Sequence, residues 1–158
     1  MELVILRPPL VYAMNAKANF ARLLQLARTP LPLPFAGIQN RRALIGLDNL
    51  LDLITLCLTK PEAAGNTWLC ADTEMYALPD IIAAIRRSLD RDAHLFSLPR
   101  SLFSALQTVA GPAMSARLFG DFRMDCSRTY RELGWTPPYS MEQILRAQLR
   151  ATVQHTSL

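Results

Sequence analysis

The sequence predicts an α/β fold, because short apolar runs alternate along the chain with amphipathic stretches of helical periodicity. The 158 residues are 51% hydrophobic and 19% charged, which suits one domain with a sizeable core and excludes a disordered tail or a coiled-coil rod. Eleven prolines argue against a continuous helical bundle, since each removes a backbone donor. No apolar run reaches the ~20 residues of a membrane span, so we expect no membrane partner.

Four strands and seven helices are predicted from these patterns. The strands are short apolar runs at residues 3–6, 42–46, 67–71 and 95–98. The helices carry apolar faces at three- and four-residue spacing and lie at 15–28, 48–60, 79–89, 101–109, 113–118, 129–133 and 140–153. Asn15, Asp48 and Ser140 suit the N-cap of the helix that each begins, and Gly134 suits the left-handed turn after a helix. The polar residues 154–158 are predicted to form a frayed tail.

Charge and cysteine content exclude several kinds of site. The excess of four positive charges is too small to indicate a nucleic-acid binder. The three cysteines are widely spaced and contain no C-x-x-C pair, so we expect neither a zinc site nor disulfides, and a cytoplasmic location. Asp72, Glu74 and Asp80 surround a predicted turn, and we expect them to be solvated surface acids rather than metal ligands.

Three sequence blocks occur in a fixed order: VILRPPLVY at 4–12, RRALIGLDNL at 41–50 and DCSRTYRELGWTP at 125–137. The first resembles R-P-x-x-V-Y-G-P, the second R-x-F-I-x-V-D-D-L, and the third D-x-S-K-A-x-x-x-L-G-W-x-P. Together they resemble the C-terminal half of the extended short-chain dehydrogenase/reductases, specifically the nucleotide-sugar epimerases and dehydratases. The resemblance implies that residues 1–153 form the substrate-binding portion of a Rossmann-type protein, and that the segment at 2–12 is the last strand of its sheet.

Two motifs of that family are missing from these 158 residues. No glycine-rich G-x-x-G-x-x-G follows a strand, and none of the four tyrosines has a lysine four residues later. In the family, the first motif cradles the pyrophosphate of the cofactor and the second supplies the general acid/base pair. The parent family is one of NAD- or NADP-dependent isomerases and dehydratases. We expect this chain alone to be inactive, to contain no catalytic residue and to bind no dinucleotide.

The resemblance assigns substrate contacts to particular residues. Arg42 matches the arginine that reaches the diphosphate of the sugar nucleotide; the alternative is a solvated turn arginine. Pro8 matches a position beside the nicotinamide, and Pro9 and Tyr12 match positions beside the sugar; the alternative for Tyr12 is packing in the core. The family's Gly-Pro after this tyrosine is Ala13-Met14 here.

Other assignments by resemblance fall outside these blocks. Asn19 and Lys17 lie in a segment that lines the substrate pocket in relatives, although Lys17 suits a solvated helix surface equally. Arg123 lies where relatives supply a further nucleotide contact. Trp135, between Gly134 and a proline, is predicted to seal the core under a turn.

Two functions from different classes remain open. The first is the nucleotide-sugar-binding portion of an NAD(P)-dependent epimerase or dehydratase, completed by an N-terminal half. The second is a non-catalytic remnant that acts as a protein–protein interaction module. In either case the first strand lacks neighbours, so we expect self-association or a missing N-terminal half to cover it.

Overall fold

The computed structural model describes residues 2–16, 19–111, 115–116 and 119–156. Within these ranges, three-residue strands alternate with helices in the first half, and helices follow in the second half. The strands are β1 (Ile5–Arg7), β2 (Leu10–Tyr12), β3 (Leu44–Gly46) and β4 (Thr67–Leu69). The helices are α1 (Asn19–Arg28), α2 (Leu47–Thr59), α3 (Leu78–Ser88), α4 (Arg100–Ala110), α5 (Ser127–Glu132) and α6 (Met141–Thr156), with a 3-10 turn at Pro61–Ala63.

The segment at 2–12, which the resemblance predicts to be one strand, is divided into two strands by Pro8 and Pro9. Pro8 and Pro9 carry no N–H group, so the ladder stops there and resumes with a different partner. β1 pairs in parallel with β4, with Ile5 opposite Thr67, whereas β2 pairs in parallel with β3. The described residues therefore form two small parallel sheets instead of one.

Two hydrophobic clusters hold the helices against these strands. In the larger cluster, α1, α3 and α6 pack together through buried side chains such as Phe20, Ile82 and Leu145. In the smaller cluster, α2 and the segment after α5 cover β1 and β4, and the buried residues include Leu53, Trp68 and Trp135. Burial of Trp135 confirms its predicted core-sealing role.

A buried arginine ties the first helix to the third. Arg86 on α3 is 2% exposed, and its guanidinium donates to the carbonyl oxygens of Ala27, Thr29 and Leu31 at distances of 2.7–3.2 Å. It also donates to the carbonyl oxygen of Ala93. Carbonyl groups at a helix C-terminus have no hydrogen-bond partner within the helix. The planar guanidinium has five N–H donors, so this one side chain supplies the donors for the carbonyls where the chain turns after α1.

Most predicted helices are confirmed, with differences at their starts. Ser140 begins α6 as predicted, since its Oγ accepts from the N–H of Gln143, and Gly134 has the predicted positive φ of 56°. Asp48 is not the N-cap of α2: that position is Gly46, because β3 runs directly into the helix. Asn15 is likewise not a cap, since Ala16, the residue after it, lies outside any helix.

Other expectations differ from the structure in single segments. The predicted strand at 95–98 is wrong, because only Leu95 makes a bridge, with Leu33. α6 continues to Thr156, past residue 154 where the frayed tail was expected. The predicted helix at 113–118 lies largely outside the described residues.

Candidate functional site

The segment that carries Arg42 lies between two other chain segments. The backbone N–H of Arg42 donates to the carbonyl of Tyr76, and the N–H of Tyr76 donates back to Arg42, both at 3.0 Å. On the other side, the N–H of Ala43 donates to the carbonyl of Phe122 at 2.7 Å, and the N–H of Phe122 donates to Arg41 at 2.9 Å. Hydrogen bonds from both sides therefore fix the backbone from which Arg42 projects.

Three arginines gather around one carboxylate at this point; we call Arg41, Arg42, Arg123 and Asp121 the arginine cluster. The Asp121 carboxylate accepts the backbone N–H of Arg41 at 2.8 Å and pairs with the Arg123 guanidinium at 3.1 Å. Arg42 Nη1 donates to the carbonyl of Gly120 at 3.2 Å. The structure thus brings together two of the sequence-predicted substrate residues, Arg42 and Arg123, and adds Arg41 and Asp121, which sequence reasoning did not select.

The electrostatics of the cluster favour an anion. Partial burial lowers the pKa of Arg42, and the nearby Asp121 charge opposes that shift. The N–H of Arg41 and the guanidinium of Arg123 lower the pKa of Asp121, which keeps this carboxylate ionised at neutral pH. The guanidinium of Arg41 donates to the carbonyl of Met75 at 3.4 Å and lines a separate cleft with Glu74, Asp80 and Glu142. Arg42 and Arg123 are therefore the guanidinium groups of the cluster that suit a phosphate, whose oxygens they match in a bidentate manner.

A surface cleft is lined by chain neighbours of the arginine cluster but by none of its four residues. It has a volume of about 190 Å³, and its lining includes Ala43 and Met124, the residues that follow Arg42 and Arg123 in the chain. Further lining residues are Asp72, Thr73, Met75, Asp125, Cys126, Ser127 and Tyr130. Apolar side chains and hydroxyl groups lie together there, a combination suited to a ligand with a polar and an apolar part.

A buried polar network lies at the carboxyl ends of β2 and β3. The Tyr12 hydroxyl donates to Asp72 Oδ2 at 2.6 Å, and Asn49 Nδ2 donates to Asp72 Oδ1 at 2.8 Å. The N–H of Gly46 donates to the same Oδ1 at 3.3 Å. Asn49 also exchanges hydrogen bonds with the backbone of Tyr139, so the network joins β2, the β3–α2 junction, the segment after β4 and the segment before α6.

Burial governs the titration of this network. Asp72 is 6% exposed, and desolvation raises its pKa above the usual carboxyl value despite the three hydrogen bonds. Desolvation and the Asp72 charge together raise the pKa of Tyr12 far above its usual range. The Tyr12 phenol is therefore protonated at physiological pH and acts as a hydrogen-bond donor.

The expectation that Asp72 is a solvated acid is wrong. Asp72 follows β4 and turns inward, and its own N–H donates to the carbonyl of Leu44 at 2.7 Å. Its position directly after an apolar strand was the available signal, since such residues lie at the carboxyl edge of a sheet. Asp80 caps the start of α3 by accepting the N–H of Ala77 at 3.0 Å.

The remaining predicted site residues either lie apart from the arginine cluster or fall outside the residues that the structure describes. Tyr12 pairs with Gly46, four residues beyond Arg42, so the two are separated along the strand direction by roughly 13 Å at 3.3 Å per residue. Pro8 is exposed and Pro9 half-buried between β1 and β2. Asn19 begins α1. Lys17 lies outside the described residues.

The described residues contain neither a metal-binding cluster nor a helix that could cross a bilayer. No group of three or more histidine, cysteine or acidic side chains there is arranged to hold a metal ion. Among the same residues, no helix is both long and apolar enough to cross a bilayer.

Parallel strand pairs packed against the helices that follow them in the chain define an α/β fold. No protein-family model matches the chain. The chain is 33% identical over 156 residues to the UDP-glucose 4-epimerase of Vibrio cholerae, in an alignment that covers 98% of this chain and 48% of that enzyme.

Solved structures share the fold of this chain. The UDP-N-acetylglucosamine 4-epimerase of Bacillus cereus is similar with a TM-score of 0.66 at 14% identity, over 92% of this chain and 45% of that one. The UDP-glucuronic acid 4-epimerase of Bacillus cereus, solved in complex with NAD, gives a TM-score of 0.62 at 21% identity, over 96% and 45%. The chain spans about half the length of the relatives that it matches.

These similarities confirm the predicted α/β fold class and the predicted resemblance. The chain resembles the C-terminal half of an extended short-chain dehydrogenase/reductase of the nucleotide-sugar epimerase/dehydratase family. The roles of Arg42, Arg123, Pro8, Pro9, Tyr12 and Asn19 toward a ligand stay predictions.

Proposed function

We propose that this chain is the nucleotide-sugar-binding portion of an NAD(P)-dependent epimerase or dehydratase, with no catalytic activity of its own. The observation that carries the proposal is the arginine cluster, in which Arg42 and Arg123 lie on adjacent, hydrogen-bonded segments. Two guanidinium groups so placed suit the diphosphate of a UDP- or dTDP-sugar. The similarity to nucleotide-sugar epimerases supports this choice over other phosphate ligands.

The chain's own residues do not fit a dinucleotide cradle. Gly46 is the glycine at a strand–helix junction, where a pyrophosphate binds in the Rossmann motif. Its N–H is directed at Asp72, and a Cβ at this position would lie 2.2 Å from Ile144 Cδ1 and 3.0 Å from the Tyr12 ring. The side chains of Ile144 and Tyr12 fill the space beside Gly46. We therefore assign the binding of NAD or NADP, and catalysis, to another half of the protein.

Within this proposal, Arg42 and Arg123 contact the diphosphate directly. Tyr12 is buried, and its hydroxyl is engaged by Asp72, so we assign it a positioning role through the buried network. We also propose that Pro9 and Asn19 contact the sugar and that Pro8 contacts the cofactor. These three assignments rest on the family resemblance alone. The free cysteines Cys57, Cys70 and Cys126 support a cytoplasmic location.

Calorimetric titration with UDP-glucose tests the proposal. We expect saturable binding to the 158-residue chain and at least tenfold weaker binding to Arg42→Ala, since a charge-assisted contact contributes about 1.5–3 kcal/mol. Asp121→Asn keeps an acceptor for the N–H of Arg41 but removes the competing charge, so this variant should bind more tightly. Arg22→Ala, on the exposed side of α1, is the matched control and should bind like the unmodified chain.

Absence of heat with the unmodified chain, or equal affinity in the Arg42→Ala and Arg22→Ala variants, would remove the substrate-binding proposal. The interaction-module alternative would then gain support. A specific observation favours that alternative as well, because Leu3, Ile5 and Leu58 are large apolar side chains exposed on the surface.

A further inference from the structure

The guanidinium groups of Arg41 and Arg42 reach different parts of the molecule. Successive side chains of an extended segment project in opposite directions. The Arg42 guanidinium reaches the carbonyl of Gly120, whereas that of Arg41 reaches the carbonyl of Met75. We call the cavity that the Arg41 side chain lines the Arg41 cleft. It has a volume of about 430 Å³, within the range of about 300–1,000 Å³ that is usual for small-molecule sites.

The Arg41 cleft combines buried apolar side chains with exposed charged ones. Met141 and Tyr76 are 2% and 8% exposed, and both belong to the larger hydrophobic cluster together with Ala84 on α3. The charged residues of the lining are the exposed Arg41, Glu74, Asp80 and Arg87 and the half-buried Glu142. A ligand that enters this cleft therefore meets apolar surface and charges of both signs.

Three of these five charged groups are already engaged by the protein itself. Arg87 Nε pairs with Glu142 Oε2 at 3.0 Å, and Glu142 also pairs with Arg146 at 3.3 Å. Asp80 Oδ2 accepts the N–H of Ala77 at 3.0 Å. Asp80 and Glu142 lie in the first turns of α3 and α6, where the helix dipole favours a negative charge even without a ligand.

Arg41 and Glu74 are the two remaining charges of the cleft. The Arg41 guanidinium has five N–H donors, and the hydrogen bond that it makes within the described residues is the single one to the Met75 carbonyl, at 3.4 Å. The Glu74 carboxylate makes neither a hydrogen bond nor an ion pair with any residue that the structure describes. A cation with unused donors and an unpaired carboxylate therefore line the same cavity.

We propose that the Arg41 cleft binds a zwitterion of the α-amino-acid type with an apolar side chain. The carboxylate of the ligand pairs with the free donors of Arg41, and its ammonium group pairs with Glu74. Its apolar side chain lies against Met75 and Met141. A simple anion would face the three carboxylates of the lining, and a simple cation would face the two guanidinium groups. A ligand that carries both charges avoids both repulsions.

This binding site goes beyond the proposed function, because its ligand is not a nucleotide sugar and it uses neither Arg42 nor Arg123. The Arg41 and Glu74 side chains are exposed, and ion pairs on an exposed surface are weak. We therefore expect a dissociation constant of about 1–10 mM, which suits a metabolite that is abundant in the cell.

NMR of the 158-residue chain labelled at its methionine methyl groups tests the proposal, with L-leucine as the probe. Met141 lines the Arg41 cleft, Met124 lines the cleft of about 190 Å³, and Met75 lines both. We expect saturable shifts of the Met141 and Met75 signals and none of the Met124 signal. 4-Methylpentanoate lacks the ammonium group of leucine, and 3-methylbutylamine lacks its carboxylate. Each should bind about fivefold or more weakly than leucine, because one of its two ion pairs is missing.

Substitutions assign the two charges. Arg41→Gln and Glu74→Gln should each weaken leucine binding by about fivefold or more. In Glu74→Gln, leucine and 4-methylpentanoate should bind about equally, since the ammonium group has lost its partner. Arg22→Gln and Glu62→Gln change exposed residues outside the cleft lining and are the matched controls, which should bind leucine like the unmodified chain. All four positions are exposed, so the variants should remain folded, as checked by their spectra without leucine.

Three results would overturn the proposal: no saturable shift of the Met141 signal, equal binding of leucine and 4-methylpentanoate to the unmodified chain, or leucine binding that neither Arg41→Gln nor Glu74→Gln weakens. Titration with UDP-glucose separates this outcome from failure of the proposed function. If Glu74→Gln binds UDP-glucose like the unmodified chain but binds leucine weakly, the Arg41 cleft is supported as a second, separate site.

Discussion

Replacing Asp72 tests the buried network at its centre. In Asp72→Ala, the Tyr12 hydroxyl, the Asn49 amide and the Gly46 N–H lose their shared acceptor. A buried donor left without a partner costs about 1–3 kcal/mol, and Asn49 keeps its bond to the Tyr139 carbonyl, so the total should be about 3–5 kcal/mol. That loss is a large fraction of the stability of a small domain, which is about 5–15 kcal/mol.

Asp72→Asn should be much milder. The amide oxygen still accepts from Asn49 and Gly46, and the amide carries no charge to desolvate, so we expect a loss of about 0–2 kcal/mol at neutral pH. Urea denaturation of the two variants and the unmodified chain, followed by circular dichroism, measures the difference. Equal destabilisation by alanine and asparagine would refute the view that the network depends on the acceptor rather than on the charge.

The pH dependence of the free energy of unfolding is a second measure of the role of Asp72. Burial raises the pKa of Asp72 in the folded state, so the folded chain binds this proton more tightly than the unfolded chain does. The Asp72 contribution to stability should therefore fall as pH rises from the usual carboxyl pKa through the raised one, and Asp72→Asn should lack this fall. Asp121 and Asp125, whose pKa values are lowered, contribute equally to both proteins and cancel in the difference. A free-energy difference that does not change with pH would contradict the reasoning.

Two further predictions concern stability. Gly46→Ala should cost about 1–3 kcal/mol, because the added Cβ would lie 2.2 Å from Ile144 Cδ1, and an unchanged melting temperature would contradict this expectation. Arg86→Met should cost about 2–4 kcal/mol in urea denaturation, because the carbonyls of Ala27 and Leu31 lose buried donors. Arg86→Lys should recover less than half of that loss, since an ammonium group cannot reach the same set of carbonyls; full recovery would show that charge alone matters.

Local patterns in the sequence predicted the helices well and the strands less well. Helical periodicity and capping residues determined elements such as α3 and α6, because the interactions involved lie within a few residues of each other. The division of the first strand depended on tertiary context: Pro8 and Pro9 end one ladder, and only the positions of β3 and β4 decide that β2 pairs elsewhere.

The site was predicted in part, for a related reason. Arg42 and Arg123 could be selected by their match to family motifs, and the structure places their segments side by side. Asp121 could not be selected, because its importance arises from a partner 80 residues away in sequence. Asp72 follows an apolar strand, which was a signal for an inward position, but its partner Tyr12 is 60 residues away and no local pattern identifies it.

The position of the buried network bears on where a ligand can bind. In open α/β sheets, ligands bind beyond the carboxyl ends of the strands. Here the carboxyl ends of β2 and β3 are occupied by Tyr12, Asp72 and the Ile144 side chain next to Gly46. The concentrated positive charge lies at the amino end of β3, where Arg42 precedes the strand.

These two features fix the backbone that carries Arg42. The network holds β3 from its carboxyl end through Gly46, and the bridges to Tyr76 and Phe122 hold Arg42 from its amino end. A binding group fixed in place loses little conformational entropy when its ligand arrives, so more of the contact energy appears as affinity. A solvated turn arginine needs no such framework, and this difference supports a phosphate-binding role for Arg42.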